Sequence, residues 1–121
     1  MYIARNLVLL VLLAPCFASA QNITPGKYTL DEASVFHRAE YKADGSASIV
    51  TEHKVRKGTF LMEFRWAVRN GRFEMSATRF TKDRVNWQPV EDASVEIRNV
   101  SPRSFELKRN DGNWMKWTRE P

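Results

Sequence analysis

The chain contains two histidines, His37 and His53, and one cysteine, Cys16. Imidazole exchanges a proton near neutral pH and is the commonest metal ligand, so the residues around each histidine matter first. Asp31, Glu32 and Ser34 precede His37, and together these four carry the carboxylate, hydroxyl and imidazole from which a hydrolase could be drawn. Adjacent carboxylates do not face one another for acid and base roles, however, and no Gly-x-Ser-x-Gly elbow is present. Asp31-Glu32-Ala33-Ser34 reads instead as a turn or a single capped helical turn. Phosphate-binding glycine loops are absent as well. No catalytic residue is therefore assigned, and the protein is expected not to be an enzyme. If His37 and His53 share one face of a hairpin, only carboxylates could complete a metal shell around them. Paired hairpin histidines are more often packing or surface residues, so neither a metal nor another cofactor is expected.

Residues suited to binding are more plentiful, and one stretch organises them. From Thr59, the residues Phe60, Met62, Phe64, Trp66 and Val68 alternate with Leu61, Glu63, Arg65, Ala67 and Arg69. A period of two is that of a strand with one buried face. Asn70-Gly71 follows, the pair best suited to a two-residue type I′ turn, in which both central residues take positive φ. This turn predicts a register in which Arg69 faces Arg72, Val68 faces Phe73, Trp66 faces Met75 and Phe64 faces Ala77.

Two more hairpins follow the same rules. Val35 to Lys42 and Ser46 to Lys54 flank Ala43-Asp44-Gly45, a three-residue loop that pairs Tyr41 with Ala47, His37 with Thr51 and Val35 with His53. Near the end, Asn110-Asp111-Gly112 as a three-residue loop sets Leu107 against Met115, Phe105 against Trp117 and Glu106 against Lys116, whereas a two-residue loop would set Leu107 against Lys116. The first arrangement matches apolar with apolar and charge with opposite charge. In this register Trp114 pairs with Lys108 on the outward face, where an aromatic ring suits an interface. Lys27 to Leu30 offers a further strand, Ala93-Val95-Ile97 another, and Val85 to Trp87 a short one ended by Pro89. The expected fold is all-β: a single antiparallel up-and-down meander of about eight short strands, closed as a barrel. A barrel of that size is filled by side chains or holds one small ligand, and Phe60, Met62, Phe64, Trp66, Phe73, Met75, Phe105 and Trp117 fill most of it.

The first residues concern destination. Arg5, the apolar run Leu7 to Ala18 and the small residues Ala18-Ser19-Ala20 have the three parts of a secretory signal peptide. The run is shorter than the ~18 residues of a membrane span. Residues 1–20 are thus expected to be removed after Ala20, leaving residues 21–121 as one domain in the periplasm or outside the cell. Leu13-Ala14-Pro15-Cys16 also admits a lipoprotein reading, which Pro15 and the later cleavage site disfavour. Cleavage would leave a chain without cysteine, folding without disulfides. It would also remove Arg5, so that 18 basic residues face 14 acidic ones and the net charge is +4. Nine basic residues against three acidic ones lie between Lys54 and Arg84, a face suited to an acidic protein or an anionic envelope surface. No nucleic-acid motif is present, so nucleic acid is not an expected partner.

With these strands in place, Tyr41-Lys42-Ala43-Asp44-Gly45-Ser46, Gly58-Thr59-Phe60, Val68-Arg69-Asn70-Gly71, Phe105-Glu106-Leu107 and Trp117-Thr118-Arg119 resemble small bacterial lipocalin-like proteins. The resemblance spans most of residues 21–121. In lipocalins a Gly-x-Trp near the first strand packs against a late arginine that closes one end of the barrel. Gly26-Lys27-Tyr28 and Arg119 stand at the matching places, with tyrosine for tryptophan, which implies an Arg119–Tyr28 contact. The resemblance implies a monomeric carrier or sensor that holds a small apolar or amphipathic ligand at the barrel mouth, with Tyr41, Phe64, Trp66 and Trp117 as its ligand-binding residues. A rival of a different class is a periplasmic inhibitor or immunity protein that binds a hydrolase or toxin through Arg65, Arg69, Arg72 and Trp114.

Overall fold

The computed structural model describes residues 22–121, and the expected signal peptide and Cys16 lie outside the described residues. Nine strands follow in order: β1 (Gly26–Asp31), β2 (Val35–Tyr41), β3 (Ser46–His53), β4 (Thr59–Arg69), β5 (Arg72–Thr81), β6 (Gln88–Val90), β7 (Ala93–Arg98), β8 (Ser104–Lys108) and β9 (Trp114–Arg119). Neighbours in sequence pair antiparallel, except that β6 and β7 both pair with β5, and β9 pairs back onto β1 through Tyr28↔Arg119 and Thr29↔Thr118. Eight strands therefore close an up-and-down barrel, with β6 as an additional piece.

The turn chemistry accounts for the local register. Asn70 and Gly71 take φ of 52° and 72°, and Trp66↔Met75, Val68↔Phe73 and Arg69↔Arg72 stand opposite each other. Gly45 and Gly112 take φ of 91° and 90° in their three-residue loops, with Tyr41↔Ala47 and Leu107↔Met115 as expected.

Three local expectations are corrected. Phe64 does not face Ala77: the β4–β5 register shifts between Glu63 and Arg65, and Ala77 bulges outward at φ 49°. Thr78 takes the inward place, being 4% exposed. A bulge of this kind raises twist and lets a long strand bend around a small barrel. Pro89 does not end a strand but lies within β6, opposite Arg79. Beyond the bulge, β6 covers Thr78–Phe80 while β7 covers Arg72–Met75, so one side of β5 is paired by two short pieces. A proline is tolerated in such an interrupted strand because it need not donate to a continuous ladder. Asp31 is the last residue of β1, and the Asp31–Ser34 segment forms a bend closed by Glu32 N donating to the Val35 carbonyl (2.9 Å), not a helical turn.

The core is concentrated toward one end. The lower end carries Gly26, the Ala43–Gly45 and Asn70–Gly71 turns and the β7–β8 connection; the upper end carries the segments 32–34, 54–58, 82–87 and 109–113. In the lower half the Tyr41 ring meets Tyr28, Trp66, Phe73, Phe105 and Phe64 edge-on, at centroid distances of 5.7, 5.7, 6.1, 5.7 and 6.2 Å. Edge-to-face pairs contribute roughly 0.5–1.5 kcal/mol each beyond their burial. Arg119 stands across from Tyr28, and its guanidinium rests on Gly26, where a Cβ would lie 2.7 Å from Nε. It donates to the Pro25 carbonyl (3.1 Å), so arginine on glycine backbone closes this end.

Candidate functional site

The inward face changes character toward the upper end. Val35 and His37 on β2, Ile49 and Thr51 on β3, Met62 on β4 and Met115 on β9 continue the inward alternation, but they are only half-buried. Ile49, Met62 and Met115 pack against the core below. This half-buried upper end, here termed the cup, sets apolar side chains below a polar rim.

His37 fixes that rim. Its Nε2 lies 3.2 Å from Glu32 Oε1 and its Nδ1 lies 2.7 Å from Thr51 Oγ1. Glu32 is acceptor-only when ionised, so the neutral imidazole carries its proton on Nε2 and accepts the Thr51 hydroxyl at Nδ1. Desolvation lowers the His37 pKa below its ordinary 6.5. The Arg109 guanidinium is ion-paired to Glu32 on the far side of this contact. The chain β8–β9 loop, β1–β2 loop, β2 and β3 is thereby tied into one network, Arg109–Glu32–His37–Thr51.

Trp117 adjoins this network, with its ring centroid 5.8 Å from that of His37 and stacked on Phe105 at 12°. It is 4% exposed, and its indole Nε1 has no hydrogen-bond partner. An unsatisfied buried donor costs about 1–3 kcal/mol, and each one in a folded protein calls for a reason.

A hydroxyl, an imidazole and a carboxylate in series are the parts of a nucleophile relay. Here the hydroxyl sits mid-strand, with β3 hydrogen-bonded to both β2 and β4. The neighbouring backbone N–H groups are committed to those ladders and do not converge as an oxyanion hole. The arrangement fixes one histidine tautomer, with both ring nitrogens engaged. His53, opposite Val35, shares this face as the hairpin register predicted, but its ring is edge-on to Phe60 at 4.9 Å while His37 bonds to Glu32 and Thr51.

Among the residues assigned from the sequence, Tyr41, Phe64 and Trp117 are buried at 1%, 4% and 4% exposure. Tyr41 and Phe64 form the barrel floor, Trp66 lies at the lower end and donates to the Lys42 carbonyl (3.2 Å), and Trp117 alone borders the upper cup. Arg65 and Arg69 do come together, and with Trp66, in a groove of about 540 Å³ also lined by Glu74, Met75, Asp92 and Ser94. Arg65 reaches the Asp44 carbonyl (2.6 Å), Arg69 pairs with Glu74 (3.5 Å), and Arg72 donates to Ser94 Oγ (2.8 Å) at the groove margin. Trp114 lies elsewhere on the outer surface, on β9, with the Arg98 guanidinium 3.9 Å from its ring centroid. Arg98 pairs in turn with Glu106 (2.8 Å), and this hydrogen bond above all holds the Glu106 pKa below its usual value.

Thr51, Glu32 and Arg109 were not assigned as binding residues from the sequence. The His37–Thr51 pairing was legible in the hairpin register, whereas nothing local connects Glu32 with Arg109. Comparison with protein families, characterised proteins and solved structures gave no match. The strand order and the side-chain geometry therefore carry the functional argument.

Proposed function

We propose that this is a non-catalytic binding protein of lipocalin-like build, holding a small amphipathic ligand at the upper mouth of its barrel. The ligand's apolar part would rest on Ile49, Met62 and Met115. Its head would be a hydrogen-bond acceptor, such as a carboxylate or carbonyl, that reaches in to the buried Trp117 Nε1. The unpartnered indole N–H carries this reading: an acceptor from the ligand satisfies a donor that the folded chain leaves unsatisfied. In this reading residues 1–20 are a signal peptide, and the exported chain works in the periplasm or outside the cell. It works as a monomer, since closure leaves only the three-residue β6 as a sheet edge through which barrels could pair. N-terminal sequencing of chain purified from its own cells should begin at Gln21.

Native mass spectrometry of that chain tests binding directly. A released small molecule, whose return shifts the Trp117 indole N–H resonance, supports the proposal. A chain without bound molecules, with an indole resonance unmoved by added fatty acids, would sink it. One observation favours a second reading: the groove gathers Arg65 and Arg69, with Arg72 at its edge, in a surface suited to an acidic protein. In that case the same experiment would yield a stoichiometric protein partner, a secreted hydrolase or toxin, which Arg69→Glu releases.

A further inference from the structure

The upper end carries a feature that ligand binding leaves unused. Val55 is 86% exposed and Val85 is 77% exposed, the largest values for large hydrophobic side chains among the described residues. They occupy the β3–β4 and β5–β6 connections. Because β4 pairs with both β3 and β5, these two loops flank the same strand end. They also share an aromatic base, Phe60, which lies 4.9 Å from His53 and 5.6 Å from Phe80 between ring centroids.

Both valines are bracketed by cations: Arg56 and Lys57 follow Val55, while Lys82 and Arg84 precede Val85. Among the described residues none of these four cations forms an ion pair, in contrast to Lys54, Arg69 and Arg79 on the same stretch. Nearby carboxylates are engaged. Asp31 holds Lys54, Glu32 holds Arg109, and Asp111 accepts from Asn113 N within its own loop. Asp83 accepts from the backbone of Val85 (2.8 Å) and Asn86 (2.7 Å) and from the Thr81 hydroxyl (3.0 Å). These bonds fasten the second loop while Arg84 is held at φ 65°, a left-handed conformation that is costly for a side chain of this size.

We infer that the loops carrying Val55 and Val85 form a docking surface for an anionic lipid bilayer, with the valines entering the interface and Arg56, Lys57, Lys82 and Arg84 meeting its headgroups. Two isolated apolar tips provide little contact area for the rigid core of a protein interface. A lipid surface deforms around each tip, and each cation beside it strengthens binding roughly fivefold. Docking would turn the upper mouth toward the membrane, but it stands on these loops whether or not the cup holds a ligand.

Residues 22–121 include every strand and the entire core cluster described above, so the chain starting at Gln21 is the unit to test, free of the apolar run Leu7 to Ala18. Flotation should show it bound to vesicles of mixed phosphatidylglycerol and phosphatidylcholine, released by high salt, and absent from pure phosphatidylcholine. The double variant Val55→Ser/Val85→Ser should bind about tenfold more weakly, and Arg56→Gln/Lys57→Gln/Arg84→Gln should bind more weakly still. Arg69→Gln/Arg72→Gln, at the opposite end, should bind like the parent. Circular dichroism and melting of each variant should match the parent because all these side chains are exposed. Failure to bind the anionic vesicles, equal binding to both vesicle types, or equal loss in the Arg69/Arg72 control would overturn the proposal. So would an acidic protein that occupies these loops while vesicles are ignored.

Discussion

The two halves of the barrel use inward-facing side chains for different ends. In the lower half Tyr28, Tyr41, Phe73 and Phe105 are at most 1% exposed, and edge-on rings fill the space between strands. In the upper half the inward residues of β2, β3 and β4 are half-buried, a histidine network stands beside buried Leu30 and Trp117, and Trp117 keeps an unsatisfied donor. A small barrel has too little volume for both a filled interior and a ligand. Here the division runs along its axis: one half is packed with edge-on rings, and the other is the half that the proposed function assigns to recognition.

The largest test of this contrast is Phe105→Ala. Emptying the packed half should cost about 3–5 kcal/mol in urea denaturation, whereas Met115→Ala in the half-buried cup should cost about 1–2 kcal/mol. Equal losses would show that the two halves are packed alike. Next is Gly71→Val, which should cost about 1–2 kcal/mol by thermal melting, because a β-branched residue resists the left-handed turn that sets the lower register. No atom lies within 4 Å of an added Cβ there, so the loss would report backbone strain and not a clash. Trp117→Phe probes the border. It removes the orphaned donor along with some packing, so stability should change by less than about 1 kcal/mol while affinity for an acceptor-headed ligand falls about tenfold.

The smallest effects should appear at opposite ends of the pH scale. Burial lowers the His37 pKa below 6.5, so below that value the unfolded chain binds more protons than the folded one. Stability contributed by the upper half is present above pH 6.5 and declines as pH falls, with Glu32, Arg109 and Thr51 facing the imidazole. Burial raises the pKa of Tyr28 and Tyr41 above 10.0. The contribution of the lower half is accordingly present below that value and is lost as pH rises. Melting curves across pH should show His37→Gln flattening the acid limb and Tyr41→Phe the alkaline limb; the reverse assignment would break the contrast.

The legible parts of the fold are those in which one local rule decides. Alternation from Phe60 to Val68 and the Asn70-Gly71 turn set both strands of a hairpin, because a residue's face follows from counting once the turn is known. The Leu107–Met115 register could be chosen on side-chain matching alone. The Ala77 bulge was illegible because Ser76, Ala77 and Thr78 carry no bulge signature. It forms where a long strand must bend to close. In the candidate site, Trp117 and the His37–Thr51 pairing were within reach of sequence reasoning, but the loss of Tyr41 and Phe64 to the floor was not. Alternation says which side chains point inward, not how deep along the barrel axis each will be buried.

By itself, the sequence determined strand faces, turn types and the order of an all-β meander, since these depend on residues a few positions apart. Only the tertiary structure decided that β9 returns to β1. That closure carries Arg109 to Glu32 and sets Trp117 beside His37 without a partner for its indole. Such contacts join residues distant in the chain, and their geometry exists only once the last strand has closed the barrel.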